Sequence, residues 1–240
     1  MKKQDLHTHT TYSDGKNTPE EMVLAAVCAG LDTIGISDHS YTAIDESYCI
    51  KKEKISAYVA EISALKEKYK GQIEVLCGIE QDYFSNERTD MFDYAIGSVH
   101  YLKAGDVYIP VDEDAVTLKN AAEKFFGGDI YALVEEYYRL VGNVIEKTNA
   151  DIIGHFDLIT KFQEQTPLFD ENNPRYISAW KNACNELLKT GRPFEVNTGA
   201  ISRGYRTTPY PSAEIRQYIL QNGGRLIFSS DSHTAESVGK

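Results

Sequence analysis

The stretch Asp5-Leu-His7-Thr-His9-Thr-Thr-Tyr-Ser-Asp14-Gly15, running on into Thr18-Pro19-Glu20-Glu21, reads as a strand, a turn and a capped helix, a unit that recurs along the chain. Alternate residues share one side of an extended chain, so a strand over Asp5–His9 sets His7 and His9 side by side near its C-terminal end. Ser13-Asp14-Gly15 turns the chain and carries Asp14 back over that end. Thr18 caps a helix, Pro19 takes its first turn, Glu21 completes a capping box and Gly30 closes it. Two imidazoles and a carboxylate so close together suit a divalent cation that accepts nitrogen and oxygen donors. Alone, a His-x-His on a surface strand is the competing reading.

The remaining histidines favour the cation. Thr33-Ile-Gly-Ile-Ser37 is a short apolar strand running into Asp38-His39, and Ile73–Ile79 delivers Glu80. Tyr94–Val99 delivers His100, Asp151–Gly154 delivers His155, and Arg225–Ser230 delivers Asp231-Ser-His233. Phe194–Asn197 is the seventh strand. Helices are expected between them: Ile55, Val59, Ile62, Leu65 and Tyr69 share a face, then Thr117–Phe126, Ile130–Lys147, one starting at Asn173-Pro174, and Pro211–Asn222. Residues 101–116 read as a polar loop. Alternating strands and helices predict an α/β protein with a parallel sheet and helices outside, open or closed as a barrel. In a βα-barrel the working residues gather at the C-terminal strand ends. All six histidines of the chain stand there, beside Asp14, Glu80 and Asp231, which predicts a site for several metal ions.

At 240 residues the chain suits one domain over 1–240. A formal net charge of −11, with no Lys/Arg run to form a groove, disfavours nucleic acid and points to a small-molecule partner. Cys28, Cys49, Cys77 and Cys184 form no Cys-x-x-Cys, and Cys28, Cys77 and Cys184 lie in apolar patterns that predict buried free thiols. No signal-peptide pattern and no apolar stretch long enough to span a bilayer is present, so a soluble cytoplasmic protein with no membrane partner is expected.

These residues resemble the polymerase and histidinol phosphatase (PHP) family of metal-dependent phosphoesterases. The resemblance rests on His7-Thr-His9 with Ser13-Asp14-Gly15, Ser37-Asp38-His39, Gly78-Ile-Glu80, Gly97-Ser-Val-His100, Gly154-His155 and Ser230-Asp231-Ser-His233. It implies a distorted (β/α)7 barrel, in agreement with the strand count. Gly78–Tyr83, Asp93–Tyr101 and Gly154–Leu158 further resemble the histidinol-phosphate phosphatase branch.

The resemblance also implies three divalent transition metals, Zn, Fe or Mn. One would bind His7, His9, Glu80 and Asp231; a second would share Glu80 with His100 and His155; the third would use Asp14, His39 and His233. Some relatives carry His in the position of Asp14. The implied reaction is hydrolysis of a phosphate monoester by a hydroxide bridging two metals held by Glu80, with L-histidinol phosphate, a step of histidine biosynthesis, as the expected substrate. Asp231 and His233 are candidates for protonating the leaving group. Lys161, Arg203 and Arg206 are candidate phosphate donors, against the reading that each is a solvated surface charge. Asn197 could support the ligands from a strand end, and Tyr12, Tyr83 and Tyr101 could flank the substrate. Nucleotide or phosphotyrosine hydrolysis, and a non-catalytic metal-binding domain, are the competing functions.

Overall fold

The computed structural model describes residues 2–240. Its strands are β1 (Gln4–Asp5), β2 (Thr33–Ile36), β3 (Glu74–Asp82), β4 (Tyr94–Ser98), β5 (Tyr101–Ala104), β6 (Val107–Pro110), β7 (Ile152–Ile153), β8 (Phe194–Asn197) and β9 (Leu226–Ser229). Seven of them pair in parallel in the order β1-β2-β3-β4-β7-β8-β9. A parallel bridge from Thr8 to Ser232 joins the last strand to the first, with His9 N–H donating to Ser232 O (2.8 Å) and Ser232 N–H to His7 O (3.2 Å). The sheet thus curls into a nearly closed barrel, the expected (β/α)7 arrangement.

Parallel neighbours need crossover connections, and helices supply most of them. These are α1 (Pro19–Cys28), α2 (Ile55–Lys68), α3 (Ala115–Phe125), α4 (Ile130–Gly142), α5 (Val144–Thr148), α6 (Pro174–Leu188), α7 (Gly199–Ser202) and α8 (Ala213–Gln221). The Thr18–Glu21 capping box forms as read, Glu21 N–H donating to Thr18 Oγ1 and Thr18 N–H to Glu21 Oε2.

Strand alternation sorts the side chains into two environments. Val75, Cys77 and Ile79 of β3 pack outward with Met22 and Val23 of α1 and Tyr58, Ile62 and Leu65 of α2. Leu76, Gly78 and Glu80 face the barrel interior, where Leu76 joins Leu6, Tyr94, Ile96, Ile152 and Ile227. Tyr94 fills this lower interior. Its hydroxyl donates to Leu6 O (2.5 Å), and its ring passes so close to β2 and β3 that only glycine fits opposite. A Cβ on Gly35 would stand 2.0 Å from Tyr94 Oη, and one on Gly78 2.2 Å from Tyr94 Cζ. An apolar floor under the barrel leaves its C-terminal end for polar groups.

Several expectations need correction. The first strand ends at Asp5 instead of His9, because Leu6 and His7 both turn to the interior and break the alternation. Residues 101–110 form an antiparallel hairpin, β5 with β6, in place of a polar loop. Leu102 and Ile109 are buried opposite each other, and Gly105 at φ +60° starts the two-residue turn. The helix read as Ile130–Lys147 divides at Asn143, whose ψ of 4° leaves the helical region. Cys28 lies on the exposed side of α1, whereas Cys49 joins Cys77 and Cys184 as buried.

Gly78→Ala would drive a methyl into the Tyr94 ring, so it is expected to lower the unfolding free energy by about 1–3 kcal/mol, measured by urea denaturation. Unchanged stability would show that the ring is not wedged against β3.

Candidate metal centre

His7 and His9 follow β1, His39 follows β2, Glu80 stands within β3, His100 follows β4, His155 follows β7, and Asp231 and His233 follow β9. Local chemistry fixes the turns that carry them. Asp38 accepts from Thr10 N (2.7 Å), Thr10 Oγ1 (2.8 Å), Ser13 N (3.1 Å) and Ser13 Oγ (2.5 Å), folding the 10–14 segment back so that Asp14 reaches the strand ends. Gly15 is required there, because a Cβ would lie 2.4 Å from His9 O. Asp231 has φ +51°, a left-handed conformation that aspartate tolerates better than most residues.

All nine expected residues meet at one mouth. His7 Nε2 and His9 Nε2 lie 3.2 and 3.6 Å from Glu80 Oε2, and 3.8 and 3.2 Å from Asp231 Oδ1. On the other oxygen of Glu80, Oε1, His155 Nε2 stands at 3.0 Å and His100 Nε2 at 3.3 Å. Asp14 faces His233 Nε2 at 3.2 Å and His39 Nε2 at 3.8 Å, with His9 Nδ1 at 3.9 Å. His39 also turns Nδ1 to Glu80 Oε2 at 2.8 Å, so Glu80 is the hub of the cluster.

These spacings fit cations. Two donors each about 2.1 Å from a tetrahedral ion stand roughly 3.4 Å apart, in the middle of the observed separations. His7 Nε2 and both ring nitrogens of His9 are buried without a hydrogen-bond partner, and Glu80 Oε2, crowded by three imidazoles, makes no well-aligned bond. Such atoms are costly unless something occupies the space between them. The donor set, imidazole with carboxylate, suits Zn, Fe or Mn.

Burial opposes charge on Glu80, Asp231, Asp14, His7 and His9. The Glu80 carboxyl is nevertheless held well below its usual range by the imidazoles of His39, His7 and His100. At Asp231, Arg203 and His7 likewise overcome burial, and at Asp14, His39 and His233 do so. Burial, with His233 and His39 nearby, pushes His9 down to about 3, so it is neutral at neutral pH. At His7 the carboxylates Glu195, Glu80 and Asp231 outweigh burial and raise it.

The mouth opens into a cavity of about 270 Å³, lined by every member of the cluster except the fully buried His7 and His9, and by Tyr48, Tyr101, Asp112, Lys161, Arg203 and Tyr205. Lys161 Nζ donates to Asp112 O (2.8 Å) and lies 3.3 Å from Asp112 Oδ2. Arg203 donates from Nη2 to Asp231 Oδ2 (3.0 Å) and from Nη1 to Asp231 O (2.9 Å). Arg206 is elsewhere. Its guanidinium stacks on Tyr210, 4.7 Å from the ring centre, and hydrogen-bonds Thr160, so it does not face the cavity as expected. Asn197 lies beneath the ligands, with Nδ2 3.2 Å from Asp231 Oδ2. Tyr12 and Tyr83 do not border the cavity: Tyr12 bonds Glu61, and Tyr83 packs on Phe84.

Sequence reading passed over Glu195 and Asp82, whose carboxylates accept from the far ring nitrogens of His7 (2.6 Å) and His100 (3.2 Å). An acid inside an otherwise apolar strand was the available signal for Glu195.

The family model described as the PHP domain matches residues 5–199. The histidinol-phosphatase of Bacillus subtilis (strain 168) is 28% identical over 264 residues, spanning all of this chain and 96% of that protein. Among solved structures, hisK from Listeria monocytogenes superposes with a TM-score of 0.84 at 23% identity, over 99% of this chain and 98% of the other. Histidinol phosphate phosphatase from Lactococcus lactis, complexed with Zn, L-histidinol and phosphate, gives 0.74 at 20% identity, over 98% and 87%. These two structural likenesses establish the fold.

A cation entering this cluster must displace protons from imidazoles such as His7 and His39, whose protonated forms the carboxylates favour. Affinity is therefore expected to rise with pH, by roughly tenfold per pH unit for each proton displaced. Calorimetric Zn²⁺ titrations at acidic and neutral pH, in buffers of different ionisation enthalpy, measure both effects; pH-independent affinity would contradict the arrangement.

Proposed function

The chain belongs to the PHP domain family, and from that premise we propose that it is a metal-dependent phosphatase converting L-histidinol phosphate and water to L-histidinol and phosphate. The observation that carries this reading is the group of buried, unpartnered nitrogens on His7 and His9, packed behind Glu80, which lines a cavity that two cationic side chains border. The full-length likeness to the Bacillus subtilis histidinol-phosphatase supports the substrate. A cavity of about 270 Å³ suits a small phosphate ester better than a macromolecular surface.

In this reading three cations would be held by the sets His7, His9, Glu80 and Asp231; Glu80, His100 and His155; and Asp14, His39 and His233. When bound they supply Lewis-acid activation of water and charge neutralisation on phosphoryl oxygens. Glu80 would keep two of the sets adjacent, since Oε2 faces His7 and His9 while Oε1 faces His100 and His155. Lys161 and Arg203 bind phosphoryl oxygens, each exchanging its present acidic partner, Asp112 or Asp231, for the ester. His233 borders the cavity and is the most exposed of the six imidazoles at 20%, which favours it over Asp231, kept ionised by Arg203 and His7, as the group that hands a proton to the departing alkoxide. Tyr48 and Tyr101, with ring centres 6.3 Å apart, wall the side where the organic part lies. The protein acts as one domain over residues 1–240, in the cytoplasm, within histidine biosynthesis; among the described residues no helix is long and apolar enough to cross a membrane.

Steady-state kinetics of the metal-loaded protein on L-histidinol phosphate, AMP and a phosphotyrosine peptide test the substrate. The kcat/KM for histidinol phosphate is expected to exceed the others by at least about tenfold, and a smaller preference would transfer the activity to another PHP substrate. Lys161→Met is expected to weaken ester binding about 10–100-fold, seen as a raised KM with metal content retained.

A further inference from the structure

We propose that Glu195 is the positioning residue of the cation centre: it fixes the ring of His7 and ties the segments bearing His155 and Asp231 to one buried anchor. The proposal rests on the metal-site reading above and goes beyond it, since Glu195 belongs to none of the three donor sets.

The geometry is specific. Phe194 of β8 packs outward in the core, and Glu195, next along the strand, turns its fully buried side chain to the barrel interior. Oε1 accepts from His7 Nδ1 at 2.6 Å, across 188 residues of chain. Oε2 accepts from the backbone N–H of His155 (2.9 Å) and from Asn197 Nδ2 (2.9 Å). The same Asn197 amide reaches Asp231 Oδ2 (3.2 Å), while Asn197 Oδ1 accepts from Gly199 N–H (2.9 Å). With both oxygens occupied, Glu195 has no place for a cation of its own.

Its effect is exerted on its neighbours. A carboxylate accepting at Nδ1 holds a ring proton there, so Nε2, 3.2 Å from Glu80 Oε2, is the nitrogen left to offer its lone pair once a cation displaces any proton it carries. Negative charge behind an imidazole also raises its strength as a donor. His9 has no such carboxylate and leaves both nitrogens unpartnered. One anchor therefore sets the aim of ligands arriving from β1, β7 and β9.

The test uses the full chain and Zn²⁺. Glu195→Gln keeps the shape, removes the charge and puts an amide N–H where an acceptor is needed. By competition with a chelating indicator, Zn²⁺ affinity is expected to fall about 10–100-fold, with the far-ultraviolet circular dichroism of the metal-free protein retained. The downfield Nδ1 proton resonance of His7 should disappear or shift. Glu195→Asp keeps the charge but draws it back from His7, and should lose less affinity than the glutamine variant. Wild-type affinity in Glu195→Gln would overturn the proposal. If that variant does not fold, Glu195→Asp decides: reduced affinity with the fold retained supports the positioning role, and wild-type affinity overturns it. A wild-type protein that takes up no Zn²⁺ removes the metal-site reading itself. One that binds Zn²⁺ but hydrolyses no phosphate monoester removes only the proposed activity.

Discussion

A carboxylate buried among imidazoles governs this structure. Five histidines from four different strand ends approach Glu80 to between 2.8 and 3.6 Å. Desolvating one carboxylate costs several kcal/mol unless polar or charged partners are fixed around it. Those partners come from residues 7 to 155, so the charge can be satisfied only when the first five barrel strands stand in order around it. Closure through Thr8 and Ser232 then delivers Asp231 to the same point. The barrel and the charge cluster require one another.

Much of this was legible because the chemistry sits at strand ends. Apolar runs terminating in His39, Glu80, His100 and His155 show both the element and its functional end in one reading. What escaped the sequence has physical reasons. Glu195 hides inside Phe194-Glu-Val-Asn197, where a strand reading says nothing about which face looks inward until the barrel closes. Arg203 and Arg206 sit three residues apart in irregular backbone, and only the fold shows that one turns to Asp231 and the other to Thr160. The 101–110 hairpin carries polar residues on its solvent face, and its buried pair, Leu102 and Ile109, is too brief a signal to outweigh them.

The misread Arg206 has a place in the architecture. It joins the segment after β7 to the segment after β8, in company with Gln165 donating to Gly204 O (2.9 Å) and Thr207 N–H donating to Glu164 (2.7 Å). Those two segments also carry Lys161 and Tyr205, whose ring centre lies 4.7 Å from the lysine nitrogen. The cationic rim of the cavity is thus braced from behind by a second layer of polar contacts. Rigid loops of this kind keep a binding geometry in register with the sheet below.

Tyr94 has an effect beyond packing. Wedged against Gly35 and Gly78, it fills the barrel beneath the ligands, so among the described residues the cluster opens at the C-terminal mouth, a doorway above a stopper. In the proposed reaction, water, ester, alcohol and inorganic anion all share that doorway.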